Sequence, residues 1–208
     1  MFRRLALVLS ASAALAAAAD GSMTSAERSY LVEQLESSKK TMLAAIEGLT
    51  DAQWNFKPAP DRWSVAQCAE HLILAEDYIF GATQQFLKTP AVPRPENSNA
   101  EYDRKFVAQV QDRSHKFTAP EPITPSTGAT SKFATPADAA REFAARRDKT
   151  IAYVKTTQDD LRVHVAPGPL GQIDDYQFLL LLASHSVRHT LQMKEVQASP
   201  GYPKASAE

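Results

Sequence analysis

Residues 174–198 read DDYQFLLLLASHSVRHTLQMKEVQA. Asp174 is a helix N-cap by residue type, and the turn residues Pro167-Gly168-Pro169 and Gly171 stand just before it. The chain therefore enters a last helix at Asp174 and leaves it near Ala198. Leu179 to Leu182 form an apolar run that turns this helix toward an interior. His185 and His189 follow on the same helix, and residues four apart lie about 40° and about 6 Å from one another on one face. Two imidazoles so placed can reach one ion. The same spacing also occurs in histidines that are merely neighbours on a half-buried face, and the pair lacks the internal glutamate of a zincin motif.

The rest of the chain repeats the helical theme. Thr24 and Glu27 have capping-box spacing and open a helix to about Gly48, with Leu31, Leu35, Met42, Ile46 and Leu49 as its apolar stripe. A loop with Trp54, Phe56, Pro58, Pro60 and Trp63 follows. Ser64 and Gln67 repeat the box and open a helix to about Leu87, on which His71 stands beside Leu72 and Ala75. Pro90, Pro93 and Pro95 stop it, and a connection of about twelve residues leads to a helix at 100–113. Residues 114–134 read as a long loop. Thr135-Pro136 then opens a helix to about Thr157, with Phe143, Ile151 and Val154 inside. No run of alternating β-branched residues predicts a sheet, so the class is all-α, with four long helical segments.

Three histidines from two helices match the three-ligand set of open, catalytic zinc sites, whereas structural zinc sites use four protein ligands. The candidate metal ligands are His71, His185 and His189, although a lone histidine on an apolar helix face, as His71 is, also reads as a satisfied core residue. Imidazole ligation suits several divalent ions, among which zinc and nickel lead. Gln67 and Gln192 sit where they can orient a ligand histidine or remain surface glutamines. Cys68 reads as a small buried apolar residue, Arg188 as a surface ion-pair partner, and Trp54 and Trp63 as packing anchors.

The whole chain bounds the rest. Its 208 residues suit one domain with a substantial core. Arg3 and Arg4 precede an apolar run from Leu5 to Leu15 and the small residues Ala16 to Ala19, which is the pattern of a secretory signal peptide over residues 1–19. The expectation is an exported domain over residues 20–208, periplasmic or extracellular, with no membrane attachment after cleavage. Cleavage leaves 21 basic against 24 acidic residues, a net charge of −3 with histidine neutral. No clustered basic surface is visible, which argues against a nucleic-acid partner. With Cys68 as the one cysteine, no intrachain disulfide forms.

Several fragments together resemble the DinB-like superfamily, and within it the DinB_2 branch. They are Trp54-Asn55-Phe56-Lys57-Pro58, Arg62-Trp63-Ser64-Val65-Ala66-Gln67 running into Glu70-His71-Leu72, and Asp175-Tyr176-Gln177-Phe178 through His185, Arg188-His189 and Gln192. The resemblance implies a four-helix bundle with a long crossover connection, holding a divalent metal ion on His71, His185 and His189. It implies a metal-dependent hydrolase or thiol-dependent transferase acting on a small-molecule substrate, and a homodimer. Export shifts the balance toward hydrolysis, because low-molecular-weight thiols are mainly cytosolic. The reading from another class is a non-catalytic bundle that binds a metal or ligand. Many relatives carry a further histidine in the turn before the last helix, where this chain has Gly168-Pro169 with His164 nearby.

Overall fold

A computed structural model describes residues 22–127 and 131–204. The proposed signal peptide lies outside them. Among the described residues the helices are α1 (Ser25–Ile46), α2 (Asp51–Asn55), α3 (Val65–Phe86), α4 (Ala100–Gln111), α5 (Pro136–Thr156) and α6 (Asp175–Gln197). The expected N-caps form: Thr24 with Glu27, Ser64 with Gln67 and Asp174 with Gln177 are reciprocal capping boxes, and Thr135 caps α5. Each box satisfies amides that the first turn leaves without a helical partner. The same device, Thr50 with Gln53, starts α2 inside the stretch expected to be loop.

The four long helices pack in a ring in which α1 meets α5 and α6, and α3 meets the same two. The apolar residues divide into two cores. One gathers Leu31 and Leu35 of α1, Ala75 and Ile79 of α3, Ile151 and Val154 of α5, and the Leu179–Leu182 run. The other gathers Met42 and Ile46, the α3 stretch from Val65 to Ile73, Phe143 of α5, and Met193 and Val196 of α6. The halves that share a core show α1 parallel to α6, and α3 and α5 both antiparallel to them. Since α3 and α5 run the same way, the chain between them must travel back along the bundle. Residues 87–135 make that crossover, and α4 within them packs on α6. No helix of the described residues is long and apolar enough to cross a membrane.

A second departure lies before α6. The turn before α6 is an antiparallel hairpin, β1 (Val165–Gly168) with β2 (Gly171–Asp174), joined through Pro169 and Leu170. Its four-residue strands are too short and too rich in Pro and Gly to show alternation in sequence. Tertiary contact holds them, because Ala166 and Ile173 are buried in the first core. A side chain at Gly168 would collide with Ile173, and Gly171 has φ +110°, which glycine tolerates.

Candidate metal centre

Capping decides where the histidines fall. Starting α3 at Ser64 sets His71 two turns in, facing α6, and starting α6 at Asp174 carries His185 and His189 to the facing stripe. His71 Nε2 lies 3.0 Å from His185 Nε2. Ring centroids are 4.8 Å apart for His71 and His185, and 4.5 Å for His189 with either of the others. One nitrogen from each imidazole falls within 4.8 Å of the other two, so the three could hold one metal ion. His71 and His189 are buried, and His185 is half-buried. Of the three, His185 is the most exposed.

One ring has its proton position set by a backbone acceptor, and a second pairs with a side-chain amide. His71 Nδ1 lies 2.7 Å from the carbonyl of Ile123, which can only accept, so Nδ1 carries the hydrogen and Nε2 is bare. His189 Nδ1 lies 2.9 Å from Gln192 Oε1. Burial pushes all three imidazoles below the ordinary histidine range, His185 and His189 well below it, and mutual repulsion adds to the shift of those two. They are neutral near pH 7, which is the form that ligates a metal. The donor set is three neutral nitrogens with no carboxylate, suited to zinc, nickel and similar ions.

The surroundings depart from the sequence reading at several residues. Gln67 is buried; its Oε1 accepts from Ser64 N, and its Nε2 donates to the Ser126 carbonyl at 2.7 Å. Glu70, buried, accepts from Ser126 N, Ser126 Oγ and Lys132 N. Arg188, read as a surface ion-pair residue, is buried and donates to the carbonyls of Val110, Asp112 and His115. It thereby satisfies carbonyls that the end of α4 leaves open. Trp63 is more than a packing anchor, since its ring lies 5.0 Å from that of His71 and stacks at 5.9 Å on His189. Cys68 stays outside the site, and burial pushes its thiol up to about 12. His164 belongs to the hairpin end, and the ten steps from Asp175 to His185 carry α6 about 15 Å away from it. The Ile123 carbonyl had no signal in sequence, because a backbone acceptor has no residue type.

Comparison with known proteins bears on the same stretch. A curated relative, the uncharacterized protein YuaE of Bacillus subtilis (strain 168), is 27% identical over 153 residues, which are 73% of this chain and 88% of the relative. No solved structure matches the chain. The family model of the DinB superfamily matches residues 34–193, from within α1 to within α6 and across all three histidines. The chain belongs to the DinB superfamily.

Proposed function

We propose that the protein binds one divalent metal ion through His71, His185 and His189 and uses it to hydrolyse, or transfer a group to, a small-molecule substrate. The observation that carries this reading is the convergence of three imidazoles, one nitrogen of each within 4.8 Å of the other two, with the Nε2 of His71 bare. A divalent ion held there supplies Lewis acidity and acidifies a water or thiol brought to it, which generates a nucleophile near neutral pH. The chain's own residues hold the imidazoles, exclude water on the His71 and Trp63 side, and leave the approach beside His185 for substrate. Zinc or nickel is the proposed ion. We read residues 1–19 as an export signal, and an exported location favours hydrolysis over transfer from a cytosolic thiol.

A non-catalytic metal-binding bundle is the second reading, and one observation favours it. Glu70, beside His71 in sequence, is engaged with Ser126 and Lys132, and Glu195, on the same helix as His189, with Arg113, so neither is free as a general base. Metal analysis of the purified protein tests what both readings share. The expectation is one zinc or nickel per chain and a melting temperature that falls on chelation; no bound metal and no shift on reloading overturns it. His185→Ala should lose the metal, and unchanged metal content would refute this ligand set. An ester, amide and phosphoester panel then separates the readings, the enzyme requiring turnover that chelation abolishes.

A further inference from the structure

A line of polar groups runs from the surface inward to His189. Glu195, on α6, grips Arg113, just past the end of α4, with both oxygens: Nε to Oε1 is 3.0 Å and Nη2 to Oε2 is 2.8 Å. The remaining terminal nitrogen, Nη1, donates to Gln192 Oε1 at 3.4 Å. That same oxygen is the atom 2.9 Å from His189 Nδ1. Arg62 adds a 3.7 Å contact to Glu195 from the loop before α3.

A guanidinium has donors and no acceptor, so the amide atom it meets must be the oxygen of Gln192 and not the nitrogen. An oxygen there can only accept from His189, which places the imidazole hydrogen on Nδ1. Turning the amide over would set its NH2 against Arg113 and make His189 Nδ1 the acceptor. The hydrogen would then sit on Nε2, in the space the three nitrogens share. His71 needs no such device, since the Ile123 carbonyl accepts whatever its surroundings do.

We infer that Arg113 and Gln192 are positioning residues that fix His189 as the Nδ1–H tautomer and so keep its Nε2 free for the metal. The consequence for metal rests on the site proposed above; the tautomer does not. Outer partners of a ligand histidine change metal affinity by about 10–100-fold, so Gln192→Ala should weaken zinc binding by about that factor. Arg113→Met acts at one remove and should weaken it by a smaller factor, about 3–10-fold. Arg113→Lys keeps a donor facing the amide and should restore most of the loss.

The test uses the full chain at pH 7.5, with long-range nitrogen–proton spectra of the histidine rings in metal-free protein and zinc affinity by chelator competition. In the wild type His189 should carry its hydrogen on Nδ1 alone. In Gln192→Ala and Arg113→Met a fraction should move to Nε2, with the zinc losses above and the Lys variant close to wild type. A merely structural Arg113 would lower the melting temperature and leave the tautomer alone. A wild-type hydrogen on Nε2, or variants unchanged in tautomer or in zinc affinity, overturns the inference. Wild-type protein that binds no zinc yet shows the tautomer shift removes the metal site and leaves the tautomer assignment standing.

Discussion

Asp175 opens α6 with its carboxyl sealed from solvent and neither oxygen hydrogen-bonded. Burial, and then the neighbouring Asp174 and Asp159, push its pKa up to about 8. The charges of both neighbours are tied elsewhere, Asp174 to Arg162 and Asp159 to Tyr153 and Thr157, so nothing offsets a charge on Asp175. The folded protein thus holds this proton more tightly than the unfolded chain, whose aspartates titrate near about 3.9. Stability from this group is full below about pH 4 and is lost as pH rises through about 8. The three clustered histidines act in the opposite sense, because the unfolded chain takes up protons that the folded imidazoles refuse, and stability falls below about pH 6.5. Subtracting the profile of Asp175→Asn isolates the carboxyl. Urea unfolding of metal-free protein from pH 5 to 8 should show the wild type losing about 1–2 kcal/mol that the variant keeps, a figure well under full linkage because the fold relaxes and admits water once the carboxyl ionises. Parallel profiles would show that Asp175 finds a partner in solution.

At the scale of elements, α3 works as an anchor for the crossover. Gln67, Glu70 and His71 lie on one face and hold the crossover by the Ser126 carbonyl, the Ser126 and Lys132 amides and the Ile123 carbonyl. The acceptor that orients His71 is therefore only as fixed as the loop, and Glu70 fixes the loop. Glu70→Ala should speed amide exchange at 124–127 and 131–133 and weaken zinc binding by about tenfold. Unchanged exchange would mean that Gln67 alone suffices. Such couplings also decide what the sequence reveals. Capping signals lie within four residues of one another, so the starts of α1, α3, α5 and α6 and the stripe bearing His185 and His189 were legible. The start of α2 carried the same Thr50–Gln53 spacing but was hidden by its brevity, since five residues make no periodic stripe. The hairpin owes its form to contacts with the core. His71 was ambiguous for a similar reason: spacing says which face it occupies, but not that α6 presents two more imidazoles opposite. Arg188 misled because a charged residue reads as exposed until the carbonyls at the end of α4 are brought to it.

For the whole molecule, the two apolar cores are separated by a polar layer to which every long helix contributes. Arg147 of α5 is fully buried between them, and so is its partner Glu76 of α3. Its guanidinium donates to Glu76 Oε2 at 3.0 Å, to Ser38 Oγ and the Leu35 carbonyl of α1 at 2.6 and 3.2 Å, and to Ser186 Oγ and the Leu182 carbonyl of α6 at 2.8 and 3.1 Å. Ser186 adjoins His185, so the layer also fixes the rotation of α6 that turns His185 toward His71. A buried pair of this kind adds little net stability over apolar residues of equal volume, but removing one partner strands the other charge in the interior. Glu76→Ala should therefore cost about 3–5 kcal/mol, read as a fall in the urea midpoint at unchanged slope. Replacing both, Arg147→Met with Glu76→Leu, should recover most of that loss, because no charge is left unpaired. Its two serines would lose their donor, so the recovered bundle should hold α6 less firmly in register. Zinc affinity in the double variant should then fall while stability returns. A single substitution costing under about 1 kcal/mol would show that water reaches Arg147 and that the two cores are not separated as drawn.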